Sequence, residues 1–424
     1  MIQEKQEVLD NKDLFNSKYI KVFKSTDDLS FIRRIHSNSL LSWMKKIDYI
    51  HTQREQLFRQ GIFTPLINMR NQSAFVEYNN FVILFDAADV LEDELIKNKN
   101  IKIVMISHAH RDHINKLDYI LREKKDIVIM MNKITFEIIC EYWNEQHLFE
   151  EIKLLEKSVL ITQEGKEECV LGYNIVSYPS GHCMGANAFF VYNGDWGGCI
   201  GFIGEFTTRS VGGYEHKIPK TAKVISLVMD GKNMNEDIYP MGIAEINYNS
   251  VLSKLEYSYK ESKTPIFETF SLGELQELFV ICAYALSEKN VNYENICIGT
   301  ERKTVKNIMK ERNDFPFNVG FKETKYIKKK HINIFTGSEY GNSMFEMNYN
   351  KFKENNSFMW LYSEDRRNRP PNEETYKVYS HASKAEIIEM IFSMDPLYVY
   401  LSDTHNFNMS LKLSLKNLGF EVLK

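Results

Sequence analysis

Paired cysteines are missing from this chain. Its 6 cysteines, Cys140, Cys169, Cys183, Cys199, Cys282 and Cys297, stand singly, with no Cys-x-x-Cys spacing. That excludes a zinc ribbon, a thioredoxin-type motif and a disulfide scaffold, and leaves buried, reduced thiols as the expectation. A metal ion would have to be held by histidine and carboxylate. An excess of positive charge is missing too: 53 Lys and Arg against 57 Asp and Glu leave a net charge of −4. Nucleic-acid binding by bulk charge is thereby excluded, while a local basic groove is not. No apolar run approaches the roughly 18 residues of a membrane span, and the longest stretch of that kind, 251–286, is interrupted by charge. The first fifteen residues lack the apolar centre of a secretory signal. A cytoplasmic protein without membrane contact is expected. No internal repeat or low-complexity tract is visible either.

What is present is globular composition, with 27 Phe and 23 Tyr, in a chain of 424 residues. At roughly 100–200 residues per domain this is enough for two or three domains. Residues 1–60 read as a charged, mostly helical extension. From 61 the character changes to strands at 61–67 and 73–78, with Asn79-Asn80 as a hairpin turn into 81–86. Strands at 101–106, 127–131, 175–178, 188–192, 199–203 and 224–229 then alternate with helices after His113 and at 135–144. The pattern restarts after Asp230: helix 248–261, strand 265–269, helix 273–286 with Ser271 as N-cap, strand 295–299. A basic run at 302–330 ends in Lys328-Lys329-Lys330, and 364–371 reads as a linker. The last fifty residues give a helix at 384–392, a strand at 397–401, another helix and a closing strand at 420–423. This is α/β sequence with hairpins.

One stretch carries chemistry by itself. The β-branched run ending at Ile106 leads into Ser107-His108-Ala109-His110-Arg111-Asp112-His113, three imidazoles and a carboxylate within six residues. On extended backbone His108 and His110, two apart, point the same way and can grip one ion. Asp112 and His113 follow where the chain curls, placed to serve a second. Imidazole and carboxylate suit Zn²⁺, or Mn²⁺ with more carboxylate.

This His-x-His-x-Asp-His pattern resembles the signature of the metallo-β-lactamase superfamily, and other pieces fall in that family's order. Asp86, closing the strand at 81–85, resembles the first-motif Asp that braces the metal loops. His182 in Gly181-His182-Cys183-Met184-Gly185 matches the third motif and is implied as the third ligand of the first ion. Glu205, after Gly204, lies 23 residues beyond His182, where the family has a bridging Asp. Glu205 is preferred as the bridge, with Asp195 in the Gly-rich turn as its rival.

Further on, Phe270-Ser271-Leu272-Gly273-Glu274-Leu275-Gln276-Glu277-Leu278 resembles a phrase of the β-CASP nucleases. That branch includes ribonuclease J, the pre-mRNA 3′-end endonuclease subunit and the Artemis-like DNA enzymes. Asp230 fits its motif A and His381 its motif B. For motif C, His405 is preferred as a ligand of the second ion, with Asp403 at the strict spacing as competitor. The resemblance implies an αββα sandwich split into 61–232 and 376–424, an inserted α/β β-CASP domain at 233–375, and a helical extension at 1–60 outside the likeness. His36, His51, His147, His216 and His331 match nothing and are read as structural.

The implied activity is cleavage of single-stranded RNA, endonucleolytic or 5′-exonucleolytic, by a hydroxide activated between two divalent ions, Zn²⁺ or alternatively Mn²⁺. His108, His110 and His182 would hold one ion, Asp112, His113 and His405 the other, with Glu205 between them. Asp112, Asp230 and His381 form the expected catalytic set, His381 contacting the phosphate. The run 302–330, with Lys328, Lys329 and Lys330, is the expected phosphate-tracking face, against the plain reading of a solvated helix face. Arg366, Arg367 and Arg369 fit a solvated linker better than a phosphate contact. Two alternatives stay open: a DNA nuclease of the same branch, and a metal-poor binding or assembly subunit. In the latter, residues 1–60 would dock a second copy or a complex partner. Hydrolysis of a small ester or thioester would leave Asp230, His381 and the inserted domain without a role.

Overall fold

The computed structural model describes residues 67–70, 72–196, 198–208, 216–219, 224–232, 242–270, 272–288, 291–300, 302–311, 320–337, 344–363, 374–378, 380–396, 398–402 and 421–423. The extension at 1–60, the linker at 364–371, Ser271, Asp403 and His405 lie outside them.

The first sheet runs β1 (Ile67–Arg70), β2 (Ser73–Tyr78), β3 (Phe81–Phe85), β4 (Ile101–Met105), β5 (Val128–Asn132), β6 (Val159–Thr162), in that spatial order. Its first three strands are antiparallel and the rest parallel. Asn79 and Asn80 turn the β2–β3 hairpin with φ of 49° and 65°, the left-handed pair that a two-residue hairpin requires and that asparagine tolerates. Helices α1 (Asp93–Asn98), α2 (Arg111–Ile114), α3 (Leu117–Glu123), α4 (Lys133–Glu145) and α5 (Phe149–Ser158) link the parallel strands.

The second sheet comprises β7 (Glu167–Val170), β8 (Tyr173–Pro179), β9 (Asn187–Tyr192), β10 (Cys199–Gly204) and β11 (Val224–Asp230), extended by β18 (Tyr398–Ser402) and β19 (Glu421–Leu423) beyond β11. The two sheets face each other. Ile83, Phe85, Ile103 and Met105 from the first meet Phe189, Phe202 and Val228 from the second, with Phe85 stacked on Phe202 at 4.7 Å between ring centres. The alternate residues Val82, Leu84 and Val104 point away, under the helices. On the far side of the second sheet, Phe190, Leu227 and Met229 pack against Ile387, Met390 and Ile391 of a later helix, α10 (Lys384–Met394). Strands covered on both faces are largely apolar, which is why β3 reads as an unbroken hydrophobic run and β4 and β11 as runs broken only by Lys102, Ser226 and the closing Asp230.

Neighbours β11 and β18 are parallel, with Asp230 opposite Ser402. Between them in the chain lies a third sheet, in the order β14 (Phe321–Glu323), β13 (Ile296–Gly299), β15 (Ile332–Thr336), β12 (Thr264–Thr269), β16 (Phe358–Ser363), β17 (Glu374–Tyr376), parallel throughout. Helices α6 (Gly242–Lys260), α7 (Glu274–Ser287), α8 (Lys303–Glu311) and α9 (Met344–Phe352) accompany it. Among the described residues no helix is long and apolar enough to cross a membrane.

Three expectations change in detail. Helix α6 starts at Gly242 rather than at 248; glycine is a weak helix former and hides the first turns from a propensity reading. The N-cap of α7 is Gly273, with φ of 78°. Cys169 is exposed rather than buried, because it sits on β7, the edge strand of the second sheet.

Candidate metal centre

The centre forms where β3, β4, β10 and β11 end. Asp86 leaves β3 in the left-handed conformation, φ 56°, which aspartate adopts more readily than most residues. Its buried carboxylate accepts from the Ser107 backbone N–H at 2.7 Å, the Ser107 hydroxyl at 2.7 Å and His113 Nδ1 at 2.8 Å. Since that hydroxyl donates to Asp86, it accepts from His108 Nδ1, 2.8 Å away. One carboxylate therefore fixes two imidazoles through Nδ1 and leaves Nε2 of each as the atom that faces the centre. His182 Nδ1 donates to the Ser380 carbonyl at 2.9 Å, and His381 Nδ1 to Asp230 Oδ2 at 2.9 Å.

The freed nitrogens converge. His108 Nε2 lies 2.8 Å from His110 Nδ1, which is 3.2 Å from His182 Nε2. A tetrahedral zinc ion with Zn–N bonds of about 2.0–2.1 Å sets its nitrogens roughly 3.3 Å apart, so the His110–His182 spacing suits one ion and the His108–His110 pair would open slightly to take it. Glu205, at the end of β10, puts Oε2 at 2.7 Å from His182 Nε2, 3.3 Å from His108 Nε2 and 3.7 Å from His110 Nδ1. Its Oε1 lies 3.2 Å from His113 Nε2 and 3.9 Å from His381 Nδ1. Oε2 is buried and makes no hydrogen bond. A buried carboxylate oxygen aimed at three imidazole nitrogens without hydrogen-bond geometry is an arrangement that a cation completes. Cys183 Sγ joins His108, His110 and His182 in a four-donor group whose atoms all lie within 4.8 Å of one another.

The electrostatics follow from packing charges out of water. Burial pushes His108 well below the ordinary histidine value, with His113 and His110 adding to it, and burial also lowers His182. Burial opposes charge on His113 and His381 too, but there it loses. Glu205 and Asp86 hold His113 well above the usual value, and Glu205 with Asp230 raises His381. Burial raises the Glu205 carboxyl, yet His381, His182 and His113 outweigh it and hold it well below the carboxylate range. Glu205 is thus ionised at neutral pH, as a ligand must be.

Tight backbone approaches hold the loops. Gly185 has φ of 79°, and a Cβ there would meet Thr135 Oγ1 at 2.8 Å and Thr135 N at 2.9 Å. A Cβ on Gly273, before α7, would make ordinary contact with the same loops, 3.4 Å from the His182 carbonyl and 3.9 Å from Ser380 Cβ. The third-sheet domain therefore rests on the two loops carrying His182 and His381. A second contact lies on α4: Glu141 accepts from the Lys303 and Thr304 backbone N–H groups at the start of α8, and Glu145 pairs with Arg302 at 2.9 Å.

The structure thus brings together His108, His110, His113, His182, Glu205 and His381, with Asp86 and Asp230 behind them. Asp112 is more than half exposed, its Oδ2 3.9 Å from His113 Nε2. Asp195 lies apart in the turn after β9, hydrogen-bonded to Tyr78. His405 and Asp403 fall outside the described residues. Lys328, Lys329 and Lys330 are exposed where β12 and β15 begin, Lys330 N–H donating to Thr264 Oγ1. Gly273, which touches the centre, follows the other end of β12, a strand length of about 20 Å away. Sequence reasoning missed Cys183, Ser107, Ser380 and Lys232. Lys232 donates its backbone N–H to Asp230 Oδ1 at 3.0 Å and puts Nζ 3.3 Å from His381 Nε2. Its only sequence signal is its place two residues beyond a strand-ending aspartate.

Comparison with known proteins agrees with this geometry over part of the chain. No curated protein matches it. Residues 70–209, the stretch that holds Asp86, the four histidines at 108, 110, 113 and 182, and Glu205, match the model of the Metallo-beta-lactamase superfamily.

Proposed function

We propose that the protein is a metal-dependent phosphodiesterase that cleaves single-stranded RNA, working in the cytoplasm. The observation that carries this reading is the Asp230–His381 pair. It lies outside the matched stretch, yet His381 stands 3.9 Å from Glu205 and its ring 5.0 Å from that of His182. A hydrolase of small esters has no use for a second imidazole–carboxylate pair beside its metal ligands. A phosphodiesterase does, because the departing oxygen needs a proton and the phosphoryl group needs a donor. The third-sheet domain, seated on the same two loops, supports a cleft suited to an extended chain, the β-CASP arrangement.

His108, His110 and His182 would hold one divalent ion. His113 and Asp112, with His405, would hold the other, Zn²⁺ or alternatively Mn²⁺, and Glu205 would serve both. When bound, such ions supply Lewis acidity at the phosphate and acidify water near neutral pH. The chain's own residues do the rest. Asp86 keeps His108 and His113 in the binding tautomer. Asp230 holds His381 by Nδ1, the nitrogen 3.9 Å from Glu205, and leaves Nε2 beside Lys232 Nζ; the raised pKa of His381 lets it carry a proton near neutrality. Given to the leaving 3′-oxygen, that proton completes scission and leaves a 5′-phosphate. Residues 1–60 serve in this reading as the arm toward a second copy or a partner.

The test is a denaturing gel of matched 5′-labelled single-stranded RNA and DNA with added Zn²⁺ or Mn²⁺. RNA cut by the wild type and spared by Glu205→Gln is the expected outcome. Preferential cutting of DNA would move the assignment to a DNA nuclease. Cutting of neither by the folded, metal-loaded protein would overturn it in favour of a binding subunit.

A further inference from the structure

We infer that Lys232 contacts the substrate directly, its ammonium and His381 Nε2 together forming a phosphate subsite beside the metal centre. This rests on the phosphodiesterase reading for the identity of the anion, though not for the site itself. Asp230 clamps both partners. Its Oδ2 takes the His381 Nδ1 proton at 2.9 Å, and its Oδ1 takes the Lys232 backbone N–H at 3.0 Å. With both held from behind, Lys232 Nζ and His381 Nε2 stand 3.3 Å apart at an exposed position. Nζ stands within hydrogen-bond reach of Nε2, so a phosphoryl oxygen taken up beside His381 meets the ammonium as a charge-assisted donor.

The position is chemically apt. The metal side of the cleft already holds Glu205, a buried carboxylate that repels an incoming phosphate. A lysine is a point charge on a flexible stem, so it can follow the phosphorus as the bond to the leaving oxygen lengthens. A structural role would use Lys232 differently, by pairing Nζ with a carboxylate. Here the Asp230 oxygens are taken by His381 Nδ1 and the Lys232 backbone, and Nζ lies against an imidazole nitrogen instead.

The experiment compares zinc-loaded wild type, Lys232→Ala and Lys232→Arg. Each is titrated with inorganic phosphate by calorimetry and assayed on single-stranded RNA and on bis(p-nitrophenyl) phosphate. Lys232→Ala is expected to keep its Tm and zinc content and to bind phosphate about tenfold more weakly, the loss of one charge-assisted hydrogen bond. Lys232→Arg is expected to recover most of that affinity, and the KM for RNA should rise in Lys232→Ala in the same proportion. Unchanged phosphate affinity in Lys232→Ala overturns the inference whatever the RNA assay gives. So does loss of zinc, which would make Lys232 a prop of the centre. Weakened phosphate binding in a protein whose wild type cuts no RNA would keep the subsite and remove the nuclease reading instead.

Discussion

Asp86 touches no substrate in this account, yet it decides which nitrogen of two imidazoles faces the metal. The Ser107 hydroxyl relays its hold to His108, 2.8 Å away. Ser107→Ala should leave the fold intact and weaken zinc binding by about 10–100-fold, the usual cost of losing an orienting partner, measured by competition with a chromophoric chelator. His113 gives a second prediction. Its pKa in the metal-free protein is well above the ordinary value, set by Glu205 and Asp86 against burial, so zinc uptake near neutral pH must expel its proton. Calorimetry in two buffers of different ionisation enthalpy should show proton release on binding, reduced by about one proton in His113→Asn. The sign for stability follows. The raised pKa of His113 stabilises the metal-free fold most below the ordinary histidine value, and the gain is lost as pH rises through the folded value. The depressed Glu205 carboxyl acts oppositely: its contribution is present above the ordinary carboxylate range and lost as pH falls through its folded value. The strand-end motifs were legible because spacing alone decides which way His108 and His110 point. Ser107, Ser380 and Lys232 were not, since a lone serine or lysine acquires meaning only from what the fold puts beside it.

At the scale of elements, the centre depends on loops pressed against neighbouring helices. Gly185, on the loop after His182, has φ of 79° and lies against the first turn of α4. Gly185→Ala should therefore cost about 1–3 kcal/mol of stability in urea denaturation and weaken metal binding in the same variant, because the His182 loop must move to clear Thr135. Glu386 makes a comparable tie. Its carboxylate takes the Ser383 backbone N–H at 2.8 Å and the Thr208 N–H at 2.7 Å, joining the loop after Glu205 to the one after His381. Strands such as β4 and β11 were readable as apolar runs, and the β2–β3 turn as Asn-Asn. The start of α7 was not: Gly273 takes the cap with φ of 78°, a left-handed backbone that favours glycine, and the contact with the His182 loop that places it there is not contained in local propensity.

For the whole molecule, the decisive feature is that the chain leaves the second sheet after Asp230 and rejoins it at Tyr398, with a parallel sheet built between. That path explains how Asp230 and His381, 151 positions apart, share one hydrogen bond. It also sets where the basic run at 302–330 lies in the fold. Charge in a sequence says nothing about which end of a sheet will carry it. The fold puts Lys328–Lys330 where β12 begins, while Arg302 pairs with Glu145, and Lys306 and Lys310 both pair with Glu323. The central claim, that these donors form a working metal centre, is tested most directly by the metal content of protein expressed with zinc and freed of loosely bound ions. Two ions per chain are predicted for the wild type, and about one for His182→Ala, in which only the first ion loses a ligand. A folded wild type that holds none would contradict the account.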